Sequence, residues 1–242
     1  MAEISKQLGK DGNVYRQEYE KLTAAIEKFF WDEEKGAYID SFTSGKRNVT
    51  RHANIFAILF DIADKQKQEK ILTNVLENDE IPAITTPYFN FFELDVLCQM
   101  GKLTEVLDKI RSYWGGMLDL GAVTFWEEYD PSVPKEEQYD MYGDHFGKSL
   151  CHAWAASPIY FLAKYFAGLD LVNKDGVTYV LKPQMQYFTD LDCTLPVGSH
   201  GTVRLIWDGE YLDVTPDADG GVLELGETKF SLVRGETRRV RI

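Results

Sequence analysis

The chain is poor in cysteine, histidine and positive charge. Its three cysteines, Cys98, Cys151 and Cys193, are odd in number, far apart and without Cys-x-x-Cys spacing, so they indicate neither a disulfide framework nor a structural zinc site. Cys98 and Cys151 fall within apolar helical pattern and read as small core residues. Of the four histidines, His145 and His152 stand closest together. Their spacing of seven does not give ligand geometry with nearby carboxylates, so no metal and no cofactor is expected. Lys and Arg number 26 against 39 Asp and Glu, a formal net charge of −13. That charge repels phosphate backbones and anionic lipid surfaces, which leaves nucleic acid and membrane as poor partners and favours a neutral substrate. No apolar run approaches bilayer-spanning length, and the N-terminal stretch to Gln17 has no apolar signal-type segment. The chain reads as soluble, with its compartment open.

What is present is a core. A hydrophobic fraction of 44% with 13% aromatics over 242 residues is enough for one large domain or two smaller ones. From Val14 to Phe30, Tyr15, Tyr19, Leu22, Ile26 and Phe29 fall at steps of four and three, which predicts an amphipathic helix that buries one face. Trp31 to Tyr38 then reads as a short hairpin turning at Gly36. A helix from about Thr50 is apolar on nearly all sides through Ile55, Phe56, Ile58, Leu59, Phe60 and Ile62 and belongs inside a fold. Lys65 to Glu77 is one-sided and lies outside. The pair repeats: Thr86-Pro87 opens a second all-round apolar helix that Gly101 closes, and Lys102 to Trp114 is again amphipathic. Inner and outer helices alternating through short turns are the pattern of concentric helical hairpins, as in an α/α toroid.

A loop from Gly115 to Gly147 interrupts the alternation, longer than structureless loops usually run. A last apolar helix is predicted over Lys148 to Ala167, kinked at Pro158 and ended by Gly168. Composition then changes. Runs at Val177–Leu181, Thr202–Trp207, Tyr211–Val214 and Val222–Leu225 are separated by Asp175-Gly176, Asp208-Gly209 and Gly220-Gly221 as hairpin turns. The division is therefore 1–168, mainly α, and 169–242, a small antiparallel β-sandwich.

The segment from Gly121 to Ala167 concentrates the chemistry. It places Trp126 beside Glu127 and Glu128, follows with acids and tyrosines, and holds His145 and His152. Aromatic faces stack on the C–H face of a sugar ring, and carboxylates bind hydroxyls or move protons. On an extended backbone Glu127 and Glu128 point to opposite sides, so one of the two can face a pocket. Asp130, Asp140 and Asp144 read chiefly as loop-capping acids, and His145 as a brace for the loop. Tyr88 and Phe89 stand at the end of an inner helix that would meet a pocket, and His52 holds a similar position on the earlier one.

Thr124-Phe125-Trp126-Glu127, then Phe146-Gly-Lys-Ser-Leu-Cys-His-Ala-Trp-Ala-Ala-Ser-Pro158, then a β-region with Leu181-Lys182-Pro183, resemble family-78 glycoside hydrolases, the α-L-rhamnosidases. Trp31 to Tyr38 is similar to a hairpin found more widely among six-hairpin glycosidases. The resemblance implies an (α/α)6 toroid with a C-terminal β-sandwich, acting on terminal α-L-rhamnosyl residues with inversion. It implies Glu127 as the general base that activates water, with Trp126, His152 and Trp154 at the sugar. An inverting site holds its two carboxyl groups roughly 6.5 to 9.5 Å apart. The family's general acid lies in an acidic motif ahead of the helices found here, and nothing before Tyr38 resembles it. About six helices are read where a toroid needs twelve. The chain is thus expected to be a C-terminal portion, inactive alone and prone to self-association through exposed helix faces. Two other readings stay open: a six-hairpin glycosidase for a different sugar, and a non-catalytic carbohydrate-binding or assembly module.

Overall fold

The structure, a computed structural model, describes residues 1–174 and 176–242. It divides into two compact units, Met1–Val96 and Leu97–Ile242.

The first unit is helical. A short α1 (Ala2–Gln7), absent from the sequence reading, precedes α2 (Asn13–Phe30), which runs into the hairpin of β1 (Trp31–Asp32) and β2 (Ala37–Tyr38). Asp32 builds the hairpin turn: Oδ1 accepts the backbone N–H of Glu34 at 3.0 Å and of Lys35 at 3.1 Å, and Oδ2 pairs with Arg47 Nε at 2.6 Å. Gly36 occupies φ +58°, which favours glycine, and a Cβ there would stand 2.5 Å from Asn74 Nδ2 and push that amide aside. The chain continues through α3 (Arg51–Leu59) and α4 (Lys65–Ile71), whose last turns widen to a π-helix over Leu72–Leu76, to α5 (Pro87–Gln99). Asp64 caps α4 by accepting the Lys67 N–H at 2.9 Å. Ile39, Ile55, Ile58, Ile71, Val75 and Leu94 form the buried interior.

Two expectations fail here. The apolar stripe of α2 is not buried: no residue of that helix is, and Leu22 is 59% exposed. Its C-terminal end packs through Ile26 and Phe30 beside Phe56 and Phe60 of the α3 region, and the Tyr19 hydroxyl donates to the Phe60 carbonyl at 2.9 Å. Likewise α3 buries Ile55, Ala57 and Ile58 but leaves Phe60 exposed and Phe56 half-buried.

The second unit opens with α6 (Leu103–Lys109), which continues without a break through a π-turn at Ile110–Trp114 into α7 (Gly115–Asp119). The helix therefore extends beyond Trp114, and the long loop begins later than the sequence suggested. Tyr129 lies against Gly116 of α7, where a Cβ would stand 2.4 Å from its hydroxyl. The predicted helix over Lys148 to Ala167 is corrected at its start. Residues 148–152 are not helical, Ala153–Ala155 form one 3₁₀ turn, and α8 (Ser157–Phe161) continues as a π-turn over Leu162–Phe166. Pro158 sits in the first turn of α8, where its missing N–H costs nothing, rather than at a kink. Cys151, expected in the core, is exposed because its segment is extended.

The strands that follow form two four-stranded sheets. β5 (Leu191–Pro196), β6 (Thr202–Trp207), β7 (Tyr211–Pro216) and β10 (Arg238–Arg241) pair in the order β10-β7-β6-β5, all antiparallel. β3 (Leu169–Lys174), β4 (Val177–Leu181), β8 (Gly221–Leu225) and β9 (Thr228–Leu232) pair in the order β3-β4-β8-β9. Here the all-antiparallel expectation is corrected: β4 and β8 run parallel, with Tyr179 opposite Gly221. The chain builds three strands of the other sheet, β5 to β7, between them, so the connection is long enough to return in the same direction. Gly220-Gly221 is consequently no hairpin turn, whereas Asp208-Gly209 does join β6 to β7. Asp175 of the expected Asp175-Gly176 turn lies outside the described residues. Alternation along β6 buries Val203, Leu205 and Trp207. These join Leu212 and Val214 of β7, Tyr179 and Leu181 of β4, Leu223 of β8 and Leu232 of β9 in one apolar cluster. Among the described residues no helix is long and apolar enough to cross a membrane.

Candidate active site

Glu127 sits where two extended stretches of the second unit run side by side. Its N–H donates to the Ser149 carbonyl at 2.9 Å, and the His152 N–H donates to the Phe125 carbonyl at 2.8 Å. Thr124 Oγ1 bonds the Leu150 carbonyl. This lacing takes the backbone groups that a helix over Lys148–His152 would use, which is why that stretch is extended despite its apolar spacing.

The pairing brings three groups to one carboxylate. Glu127, 8% exposed, accepts the Tyr142 hydroxyl on Oε1 at 2.9 Å and the Ser149 N–H on Oε2 at 3.1 Å; His152 Nδ1 stands 3.9 Å from Oε2. Charge-assisted bonds of this kind orient a carboxylate firmly. Tyr142 in turn feels the negative charge: its bond to Glu127 raises the phenol pKa. The His152 and Trp154 rings lie tilted against each other, 4.4 Å between centroids, and Trp154 is exposed to solvent.

Glu128 points elsewhere, to Lys148 Nζ at 4.0 Å. The side chains of neighbouring glutamates thus serve different partners, as an extended backbone requires. Lys148 is buried, and burial lowers its ammonium pKa against the opposing pull of Glu128, Asp130, Asp140 and Glu127. Trp126 is buried beneath the loop with its ring 5.7 Å from Tyr139; it supports the carboxylate's segment from behind. Gln138 pins the loop by donating to the Asp130 carbonyl at 2.6 Å and the Val133 carbonyl at 2.8 Å. Asp130 caps Ser132, and Asp140 pairs with His145 at 2.6 Å, so these groups shape the loop.

The first unit carries the other expected residues. Tyr88 is exposed and Phe89 half-buried at the start of α5, and His52 lies 4.1 Å from the Phe89 ring. Burial lowers the His52 imidazole pKa, with Glu93 acting the other way. His52 also borders a polar cleft of about 840 Å³ shared with Arg47, Asn48, Thr50 and Asn74. Among the described residues no three His, Cys, Asp or Glu side chains converge as a metal site.

Tyr142 and the Ser149 amide were missed by sequence reading. The Tyr142-Gly143 pair is a turn signal, but nothing local says that the ring reaches back fifteen residues to Glu127.

Comparison with known proteins gives the class first: residues 1–166 match a glycosidase family, the bacterial alpha-L-rhamnosidase 6 hairpin glycosidase domain. The chain belongs to this family of α-L-rhamnosidase-type glycosidases. Among solved structures, a rhamnosidase from Klebsiella oxytoca with rhamnose bound is 32% identical, with a TM-score of 0.57 over 64% of this chain and 29% of that one. The GH78 family rhamnosidase of Bacillus sp. GL1 gives a TM-score of 0.71 at 24% identity, covering 89% of this chain and 23% of that one. An α-L-rhamnosidase from Dictyoglumus thermophilum gives 0.65 at 20% identity, covering 92% and 25%. The last two establish shared fold alone. The chain spans between 23% and 29% of the length of these relatives. No curated protein matches.

Proposed function

We propose that this chain is part of an inverting α-L-rhamnosidase that removes terminal α-L-rhamnosyl residues, with Glu127 as the general base that activates water. The observation that carries the reading is the Glu127 carboxylate itself, buried yet held by a hydroxyl, an amide and a nearby imidazole, in a segment of rhamnosidase family type. Family membership supports α-L-rhamnosyl groups as the substrate class. His152 and Trp154 offer a polar edge and an aromatic face to a sugar, and Trp126 supports the base from behind. In the first unit Tyr88 and Phe89 are proposed as further aromatic sugar contacts.

The finer architecture is proposed as helical hairpins of an incomplete (α/α)6 toroid over 1–168, followed by a β-sandwich over 169–242. One apolar cluster fed by both sheets supports the sandwich, and the change from helix to strand around Gly168 supports the boundary. No residue here is assigned as general acid, so the chain alone is expected not to turn over. The open stripe of α2, with Tyr15, Leu22 and Phe29, favours self-association or further helical hairpins as cover. An aryl α-L-rhamnoside assay tests the reading. The expected result is no sustained release of the aryl alcohol by the pure chain. Turnover that survives Glu127→Gln would overturn the assignment of the base.

A further inference from the structure

Tyr142 holds an unfavourable place in the loop over Glu127. Its side chain is 82% exposed and its backbone lies at φ 56°, the left-handed region that residues with a bulky Cβ substituent rarely enter. Gly143 follows at φ 81°, and Met141 and Asp144 exchange two backbone hydrogen bonds of 3.0 Å each. Two left-handed residues between a reciprocally bonded pair form a type I′ turn, for which Asn-Gly is the favoured sequence. The turn is seated closely: a Cβ on Gly147 would stand 2.2 Å from the Met141 carbonyl oxygen. Nothing about the turn itself asks for tyrosine.

What tyrosine supplies is reach. The Tyr142 hydroxyl donates to Oε1 of Glu127 at 2.9 Å, while Oε2 takes the Ser149 N–H at 3.1 Å. An ionised carboxylate offers about four lone-pair positions. With one engaged on each oxygen, the plane of the group is set and one position on each oxygen stays open to water or a sugar hydroxyl. Backbone strain retained at such a point is characteristic of functional sites.

We propose that Tyr142 is the positioning residue of Glu127, spending local turn stability to fix the carboxylate in the orientation from which it accepts a proton or a sugar hydroxyl. This rests on Glu127 being the base of the sugar site. The hydrogen bond that raises the Tyr142 phenol pKa is the same contact.

Two variants separate positioning from loop anchoring. Tyr142→Phe removes the hydroxyl alone; Tyr142→Asn removes it and suits the left-handed turn. Side-chain NMR of Glu127 in the full chain, without sugar, is expected to show one rotamer in the parent and rotamer averaging in both variants. The Tyr142→Asn melting temperature is expected to equal or exceed the parent's. L-rhamnose binding is expected to weaken about tenfold in both, because a carboxylate averaged over rotamers holds its binding orientation only part of the time. A single Glu127 rotamer in Tyr142→Phe would overturn the proposal, and so would a lower melting temperature in Tyr142→Asn with Glu127 unmoved. Absence of L-rhamnose binding to the parent would count against the sugar-site reading, while the rotamer comparison still decides the positioning role.

Discussion

Asn54 and the main chain of Tyr38 exchange two hydrogen bonds: the Tyr38 N–H donates to Oδ1 at 2.8 Å, and Nδ2 donates back to the Tyr38 carbonyl at 2.9 Å. Both residues are buried, and Nδ2 also reaches the Thr50 carbonyl at the start of α3. One amide thus ties the β1–β2 hairpin to the helix beneath it. Asn54→Ala leaves the Tyr38 backbone groups without partners in the interior, a loss of about 2–4 kcal/mol. Urea unfolding should show a lower midpoint with an unchanged slope; an unchanged midpoint would mean that water replaces the amide at no cost.

Acid sensitivity should trace in part to Asp32. Its hydrogen bond to Arg47 is the largest of the effects that hold its carboxyl below the ordinary value of 3.8, outweighing burial, with the turn N–H groups of Lys35 and Glu34 adding to it. A carboxyl lowered in the folded state stabilises above its unfolded value, and that stabilisation is lost as pH falls through the folded one. The melting-temperature gap between the parent and Asp32→Asn should therefore be full at pH 7 and shrink below about pH 3.8. A gap independent of pH would show that the charge contributes nothing.

The Tyr142 phenol reports on the site directly. Its pKa is raised first by the hydrogen bond to the Glu127 carboxylate and then by that group's charge. In Glu127→Gln the negative charge is gone, so this phenol should titrate nearer its ordinary value of 10.0. A pH titration of tyrosine ring carbons, assigned with Tyr142→Phe, measures it. Identical curves in the parent and in Glu127→Gln would show that the contact does not persist in solution.

How much of this was readable from sequence depended on whether the signal was local. The spacing of Tyr19, Leu22 and Ile26 marked α2, Pro87 marked the start of α5, and Gly101, at φ +75°, marked its end. Burial was another matter, because an apolar stripe states that a partner surface is wanted and not that one is present; Leu22 remains exposed. Leu150, Cys151 and Ala153 carry helical spacing, yet Phe125 and Glu127 claim the backbone of that stretch, a nonlocal competition that no window of sequence contains. The strands β3, β5, β9 and β10 were missed; in the last three, exposed polar residues such as Asp192 and Thr194, Lys229 and Ser231, and Arg239 and Arg241 leave few apolar positions to mark a strand. Glu127 and His152 were singled out through their motifs, and the structure places their side chains 3.9 Å apart. Tyr142 was not, since its role comes from a turn that folds it back onto Glu127.

Calorimetric titration of L-rhamnose into the purified chain, repeated with Glu127→Gln and His152→Ala, tests the central claim most directly. The account predicts saturable binding to the parent that is weakened in both variants, which would put the sugar at the carboxylate held by Tyr142 and Ser149. Binding of equal strength in all three proteins would contradict it, because the sugar would then be held without either residue.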